Sequence, residues 1–292
     1  MQRFRVGIVT MEGTPWELEE NFERMEVYVR EAARRRAHLV IAPEAVLDGY
    51  ICGADPDVTE EGMVGVAQSV PDGPYLRRGG DLAAELGIYL TFGFLERDGE
   101  ELFNSCVLFD PQGEIIAKFS KVDIAGEAFI TPGRELKPFD TPLGRVGMLV
   151  CKDRGVPENF RTLGVQGAEI VFLPMDGSGD RKNTEVLRQR ARDNACWIVM
   201  ANTWSCAIID PTGDVFLEKY ESECVSVQRV GPSDPTKLDL RDGFRRRRPD
   251  LYDPLISSNE DGAQYDDQGY PTEAANKVEV SHRRFVREHP KL

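Results

Sequence analysis

The feature that most constrains the fold of this chain is a segment that occurs twice, one hundred residues apart. The segment "SCVLFDPQGEIIAKF" begins at Ser105, and "SCAIIDPTGDVFLEK" begins at Ser205. In each of them an Asp-Pro-x-Gly turn separates two apolar runs, a pattern that predicts a β-hairpin. A chain with two such hairpins in equivalent contexts is expected to consist of two similar structural halves.

The same order of segments precedes each predicted hairpin: a helix, a buried strand, a second helix and another strand. The buried-strand candidates are "AHLVIAP" and "AEIVFLP", and the strands that follow are "GIYLTFG" and "CWIVMAN". Near-continuous apolar runs of this kind are typical of strands that are covered on both faces. Two halves that each carry a sheet with helices on one side would pack sheet against sheet. The predicted fold is therefore α/β, a four-layer αββα sandwich built from two similar αβαββ halves.

The first helix is expected to begin at the sequence "TPWE". Thr14 would cap the helix, Pro15 would take its first position, and Glu17 would complete a capping box. Apolar residues then follow at spacings of three and four from Leu18 to Ala32, which predicts an amphipathic helix.

Charge and composition exclude several classes of function. The formal net charge is −14, so nucleic acid is not an expected partner. No apolar run is long enough to span a membrane, and the N-terminus reads as a strand rather than as a signal peptide. The six cysteines include no Cys-x-x-Cys pair, a pattern typical of reduced thiols, so we expect a cytoplasmic protein.

The histidine count restricts the chemistry further. There are three histidines: His38 opens an apolar run, and His282 and His289 lie in a polar tail. A Ser-His-Asp or Cys-His hydrolase needs a histidine base near its nucleophile, and a catalytic zinc site usually takes two or three histidines. The sequence therefore predicts a site with no histidine base, no metal ion and no cofactor.

Three ionisable residues stand where predicted strands end. Glu44 follows "LVIAP", Lys121 follows "IIAKFS", and Cys151 follows "GMLV". Side chains at the carboxyl ends of strands often form the sites of α/β folds. A thiolate can attack an acyl carbon, an ammonium group favours that thiolate, and a carboxylate can take its proton. These three residue types together can therefore perform covalent acyl chemistry without histidine.

Segments around these residues resemble the nitrilase superfamily, the carbon–nitrogen hydrolases with a Glu-Lys-Cys triad. The resembling segments are "VIAPEAVLDGY", "NSCVLFDPQGEIIAKFSKVDI", "EAFITPG" and "CKDRGVPENFRTLGVQGAEIVFLP". The resemblance covers most of residues 4–230 and implies the αββα sandwich. It implies that Glu44 is the general base, Lys121 the catalytic lysine and Cys151 the nucleophile, with Glu127 orienting lysine and substrate. Lys118 is a rival on the same predicted strand, and only the resemblance favours Lys121.

The resemblance also implies the reaction: hydrolysis of a non-peptide C–N bond in a small amide or N-carbamoyl amino acid, through a cysteine thioester. The backbone N–H of Lys152 is expected to help stabilise the oxyanion. The sequence "CKDR" resembles the N-carbamoyl-D-amino-acid hydrolases, where an arginine after Cys-x-Asp helps hold a substrate carboxylate. That role is expected for Arg154, although Gly155 stands where those enzymes carry a second arginine.

Two alternatives remain open at this point. The same triad could hydrolyse nitriles, but members with that activity usually have Trp-Glu after the cysteine, where this chain has Lys152 and Asp153. A non-catalytic protein could also bind small molecules on this fold. The presence of all three triad residues argues against that second alternative.

The chain is expected to have two parts. Residues 1–230 would form the hydrolase domain, and residues 231–292 a polar C-terminal extension that packs on the surface or on a partner subunit. The segment "RRRRPDLY", which begins at Arg245, resembles an amidase and carbamoylase segment near a subunit interface. A homodimer or higher homo-oligomer is therefore expected, with a small-molecule substrate as its other partner.

Overall fold

The computed structural model of the protein describes residues 1, 3–55, 57–124, 126–177, 181–231, 242–252 and 255. Of the predicted C-terminal extension, only residues 231, 242–252 and 255 are among them, and the remainder lies outside the described residues. His282 and His289 therefore lie outside as well. No helix in these ranges is long and apolar enough to cross a membrane.

The twelve strands of the described ranges form two six-stranded sheets. The first sheet has the order β12 (Cys224–Val230), β1 (Phe4–Thr10), β2 (Leu39–Ile41), β3 (Tyr89–Asp98), β4 (Glu101–Phe109) and β5 (Ile115–Ser120). The second has the order β11 (Val215–Lys219), β10 (Cys206–Ile209), β9 (Trp197–Asn202), β8 (Ile170–Met175), β7 (Gly144–Met148) and β6 (Phe139–Thr141). Each sheet is parallel at its centre and ends in the predicted antiparallel hairpin, β4–β5 or β10–β11.

The described ranges contain seven helices, the four longest of which pack on the outer faces of the two sheets. The seven helices are α1 (Leu18–Arg34), α2 (Ile51–Ala54), α3 (Glu60–Val66), α4 (Pro74–Leu86), α5 (Pro157–Val165), α6 (Arg181–Asn194) and α7 (Asp242–Arg245). α1 and α4 bury their apolar faces on the first sheet, while α5 and α6 pack beside each other on the second. Residues of both sheets, such as Ile8 and Phe172, share one buried core. The predicted four-layer αββα sandwich of two similar halves is confirmed.

The two hairpin turns are built in the same way, which explains the repeated Asp-Pro-x-Gly pattern. Asp110 Oδ1 accepts hydrogen bonds from the backbone N–H groups of Gln112, at 2.9 Å, and Glu114, at 3.0 Å. Asp210 Oδ1 does the same for Thr212, at 2.8 Å, and Asp214, at 2.9 Å. In each turn the aspartate thus satisfies backbone donors that the hairpin leaves unpaired.

The predicted start of the first helix is wrong, because α1 begins at Leu18 and its N-cap residue is Glu17, without a side-chain cap. Thr14 does not cap the helix. Its N–H donates to Asn21 Oδ1 at 2.7 Å, and its carbonyl accepts from Asn21 Nδ2 at 2.7 Å. Trp16 N–H bonds the carbonyl of Asp48 at 3.0 Å. The contacts with Asn21 and Asp48 hold these residues in a turn that the local capping pattern cannot reveal.

The described part of the extension lies on the helix layer of the second sheet. The guanidinium of Arg161, on α5, lies 5.1 Å from the ring centre of Phe244. The 3₁₀ helix Pro249–Leu251 follows, and the ring centre of the next residue, Tyr252, lies 5.7 Å from the guanidinium of Arg247. Of these residues, Phe244 packs against α5 of its own chain.

Candidate active site

Cys151 lies at a sharp turn just beyond the end of β7. It begins a 3₁₀ helix, Cys151–Gly155, and has a φ of 44°, in the left-handed region that few residues other than glycine adopt. Strained backbone of this kind is concentrated at functional sites. The side chain is buried, with Sγ 3.5 Å from the carbonyl oxygen of Asp176. The cysteine is thus held in a fixed position at the carboxyl edge of the second sheet.

Asp153 connects this turn to the loop that carries Lys121. Its carboxylate accepts hydrogen bonds from the N–H groups of Val122, at 3.2 Å, Asp123, at 2.8 Å, and Val150, at 2.9 Å. Burial raises the pKa of Asp153 to about 7, although the N–H groups of Val150 and Asp123 lower it. In the sequence, only the Cys-x-Asp spacing indicates that Asp153 belongs to the site. Its contacts fix the nucleophile turn relative to the lysine loop.

Lys121 is the first residue after β5, and its side chain is fully buried between two carboxylates. Its Nζ donates to Glu44 Oε1 at 2.7 Å and also to Glu127 Oε1. Asn104, which sequence reasoning did not single out, donates from Nδ2 to Glu44 Oε1 at 2.8 Å and to both Glu127 oxygens, at 3.2 and 3.3 Å. The structure therefore brings Glu44, Lys121 and Glu127 together in one hydrogen-bonded cluster.

The charges of this cluster stabilise one another. Burial alone would lower the pKa of Lys121, but Glu127 and Glu44 outweigh it and hold that pKa well above its usual value. Burial raises the pKa of Glu127, although Lys121 lowers it. Tyr50 donates its hydroxyl to Glu127 Oε1 at 3.0 Å. The lysine is consequently an ammonium group at neutral pH, and it is held rigidly.

Asp176 links Glu44 to the nucleophile through its backbone. Its N–H donates to Glu44 Oε2 at 2.8 Å, and its carbonyl is the group that Cys151 Sγ contacts. Asp176 is the first residue after β8, so both contacts follow from the end of that strand. One Glu44 oxygen thus contacts Lys121, and the other bonds the residue whose carbonyl contacts Cys151.

Cys151 is a neutral thiol in this environment. Burial and the charge of Glu44 raise the pKa of Cys151 to about 12, although Lys121 and Arg154 lower it. The sequence-based expectation that an ammonium group favours the thiolate therefore has the right sign but is outweighed. For this sulfur to attack an acyl carbon, a base would have to take the thiol proton.

This raised pKa predicts how Cys151 reacts with iodoacetamide when no substrate is present. Because the thiolate fraction grows about tenfold per pH unit below the pKa, labelling should accelerate steadily from pH 7 to pH 9. Peptide mass spectrometry after timed labelling measures the rate at Cys151 itself. A rate that is already constant between pH 7 and pH 9 would contradict a neutral thiol.

The remaining candidates differ in position. Lys118 pairs with the buried Glu96 and takes no part in the Glu44 cluster. Lys152 follows Cys151 directly, and its side chain is half-buried. Arg154 donates from Nε and Nη2 to Asn183 Oδ1, at 3.0 and 2.8 Å, and from Nη1 to the carbonyl of Cys151, at 2.9 Å. The structure therefore places Arg154 at the nucleophile and Lys118 elsewhere.

The side chains of this site suit acyl chemistry better than metal binding. In the part of the chain that the structure describes, no group of three or more His, Cys, Asp or Glu side chains is arranged to hold a metal ion. The absence of a cofactor stays a prediction. The thiol, the adjacent carboxylate and the fixed ammonium group are the components of nucleophilic acyl transfer.

Comparison with known proteins assigns a family to this arrangement. The family model described as "Carbon-nitrogen hydrolase" matches residues 5–230. A nitrilase of Pyrococcus abyssi is 32% identical over 173 residues, which cover 58% of this chain and 64% of that protein, a little under two thirds of its length. The omega-amidase NIT2 of Homo sapiens is 26% identical over 282 residues, 86% of this chain and 98% of that protein.

The fold also matches solved structures. The carbon-nitrogen hydrolase from Helicobacter pylori G27 superimposes with a TM-score of 0.76, over 88% of this chain and 99% of that one. The two sequences are 18% identical, so this likeness concerns the fold.

Proposed function

This chain belongs to the carbon–nitrogen hydrolase family, and we propose that it hydrolyses a small amide or an N-carbamoyl amino acid through a thioester at Cys151. One observation carries the proposal most directly. Glu44 contacts the Lys121 ammonium with one oxygen, and its other oxygen accepts the N–H of Asp176, whose carbonyl contacts Cys151 Sγ. This arrangement supports Glu44 as the base, because it contacts the proposed oxyanion donor directly and is linked to Cys151 through Asp176.

In the first half of the reaction, Glu44 takes the proton of Cys151 as the sulfur attacks the substrate carbonyl carbon. The new oxyanion accepts hydrogen bonds from Lys121 and the backbone N–H of Lys152. One such donor is typically worth about 3–4 kcal/mol in the transition state. The C–N bond then breaks, Glu44 returns the proton to the departing nitrogen, and ammonia or an amine leaves.

In the second half, water replaces the departed amine. Glu44 takes a proton from the water molecule, whose oxygen attacks the thioester carbon, and the C–S bond breaks with the proton returning to Cys151. Asn104 and Glu127 are positioning residues in this account, because both contact the lysine–glutamate pair. Their contacts keep Lys121 aimed at the oxyanion in both halves.

The substrate class rests on the residues after the nucleophile. Lys152 and Asp153 stand where nitrile-hydrolysing members usually have Trp-Glu, which favours amides over nitriles. The relative named omega-amidase supports the same choice. Ammonia release from amides, N-carbamoyl amino acids and nitriles of matched carbon length tests the proposal. Release from amides or carbamoyl compounds is expected. Release from nitriles alone, or from none of the panel, would refute it, and the latter result would favour the binding-protein alternative.

Arg154 is expected to hold a substrate carboxylate. No carboxylate among the described residues forms an ion pair with its guanidinium, which rests on Asn183 and a carbonyl. Arg154→Gln should lower kcat/KM about ten- to a hundredfold for a carboxylated amide, because a charge-assisted hydrogen bond is typically worth about 1.5–3 kcal/mol. A neutral amide of similar size should lose far less.

The neutral amide is the internal control of that comparison. If Arg154 only braces the turn, its loss moves Cys151 for every substrate, and kcat/KM falls equally for both amides. Equal losses would reject carboxylate recognition.

A further inference from the structure

Asp176 has a side chain that the mechanism above does not use. Its backbone is fully engaged, since the N–H bonds Glu44 and the carbonyl contacts Cys151. The carboxylate therefore belongs to the residue whose backbone contacts both Glu44 and Cys151. Its Oδ1 accepts from the N–H of Gly177 and from the Thr203 hydroxyl, the latter at 3.2 Å. These contacts orient the carboxylate without neutralising it.

The charge of this carboxylate is uncompensated in the described part of the chain. Its hydrogen-bond partners there are an amide N–H and a hydroxyl, and the charges of Glu44 and Glu12 both raise its pKa. Burial and Glu44 raise the pKa of Asp176 to about 6, so most of the group is ionised at neutral pH. A partly buried carboxylate beside two others is costly unless a cation joins it.

Arg154 carries the opposite charge, and it contacts the same sulfur atom. Its Nη1 lies 3.7 Å from Cys151 Sγ, and its donors bond the neutral Asn183 and a carbonyl. Asp176 reaches the same sulfur through its carbonyl, at 3.5 Å. Within the described ranges these two residues form no ion pair with each other. A guanidinium group therefore lies beside Cys151, and a carboxylate belongs to the residue whose carbonyl contacts the same sulfur; in the described ranges neither group forms an ion pair.

We propose that the substrate is a zwitterionic amide, whose ammonium group binds Asp176 and whose carboxylate binds Arg154. This inference rests on the proposed function and narrows it. An N-carbamoyl α-amino acid has no ammonium group, because its amino nitrogen is acylated. The substrate class is therefore an amino acid that keeps both charges and carries the scissile amide on its side chain.

Matched probes isolate the ammonium group. Glutamine and glutaramate differ only in that group, as do asparagine and succinamate, and butyramide supplies an uncharged amide. Both enantiomers of glutamine and asparagine should be tested. For the one that the wild-type protein hydrolyses best, kcat/KM should be at least about tenfold higher than for the matched amide without the ammonium group. Asp176→Asn, which can still accept from Gly177 and Thr203, should bring that kcat/KM ratio close to one.

Two control variants separate specificity from structure. Asp176→Glu restores the charge and should recover part of the ratio. Asp140→Asn makes the same chemical change at a side chain that is 82% exposed and should leave the ratio unaltered. A kcat/KM ratio near one in the wild type would overturn the inference. So would a wild-type preference that Asp176→Asn leaves unchanged while it slows the hydrolysis of all probes equally.

The outcome for the other probes keeps this inference distinct from the proposed function. Hydrolysis of butyramide or glutaramate with no advantage for an ammonium-bearing probe refutes the zwitterionic substrate alone. If no amide or carbamoyl compound is hydrolysed, the proposed function itself fails.

Discussion

Replacing Cys151 with alanine is expected to abolish ammonia release while the fold survives. In the proposed mechanism the sulfur forms the covalent intermediate, and loss of a nucleophile typically lowers kcat by about 10⁴-fold or more. The cost to stability should be about 1 kcal/mol, since one buried sulfur atom is removed. Ammonia release and thermal unfolding of the same preparation measure both effects.

Cys106→Ala provides the matched control. Cys106 is fully buried in the same core that contains Cys151, but it lies within β4. This variant should lose comparable stability and retain hydrolysis. If Cys151→Ala hydrolysed the substrate at the rate of Cys106→Ala, Cys151 could not be the nucleophile.

Lys121→Ala is expected to lose both activity and stability. The substitution leaves Glu44 and Glu127 buried without their shared cation, and breaking a buried pair in this way typically costs about 3–5 kcal/mol. Without the ammonium group, the buried Glu127 carboxyl ionises at a still higher pH in the folded protein, because burial already raises its pKa and Lys121 lowers it. The deficit in unfolding free energy relative to wild type should therefore grow as the pH rises.

Denaturant unfolding at pH 5 and pH 8, together with ammonia release, tests this prediction. Lys118→Ala is the control for activity, because Lys118 pairs with Glu96 and lies outside the cluster. It should keep most of the hydrolysis rate. An inactive Lys118 variant beside an active Lys121 variant would reverse the assignment of the two lysines.

The sequence predicts the layers of the fold better than the contacts of the site. Strands such as β2 and β8, and both hairpins, are encoded locally by apolar runs and by the turn residues Asp110 and Asp210. The helix start depended instead on Asn21, which engages Thr14 from inside the helix. Local patterns cannot show which of two satisfactory hydrogen-bonding arrangements the packing selects.

The site shows the same division between local and non-local information. Motifs singled out Glu44, Lys121 and Cys151 as candidates, but Asn104 and Asp176 contact Glu44 across 60 and 132 residues of sequence. The neutral thiol of Cys151 follows from burial, which spacing does not reveal. The partner of Arg154 was likewise unpredictable, since Asn183 lies 29 residues away.

Trapping of the acyl group tests most directly whether hydrolysis proceeds through a thioester at Cys151. Hydroxylamine added during hydrolysis of an amide competes with water for a thioester, so part of the product should be the hydroxamate. The hydroxamate should form at the expense of the carboxylate, and none should form with the Cys151→Ala variant. Ammonia release with no hydroxamate at any hydroxylamine concentration, or hydroxamate formation by Cys151→Ala, would contradict the thioester at Cys151.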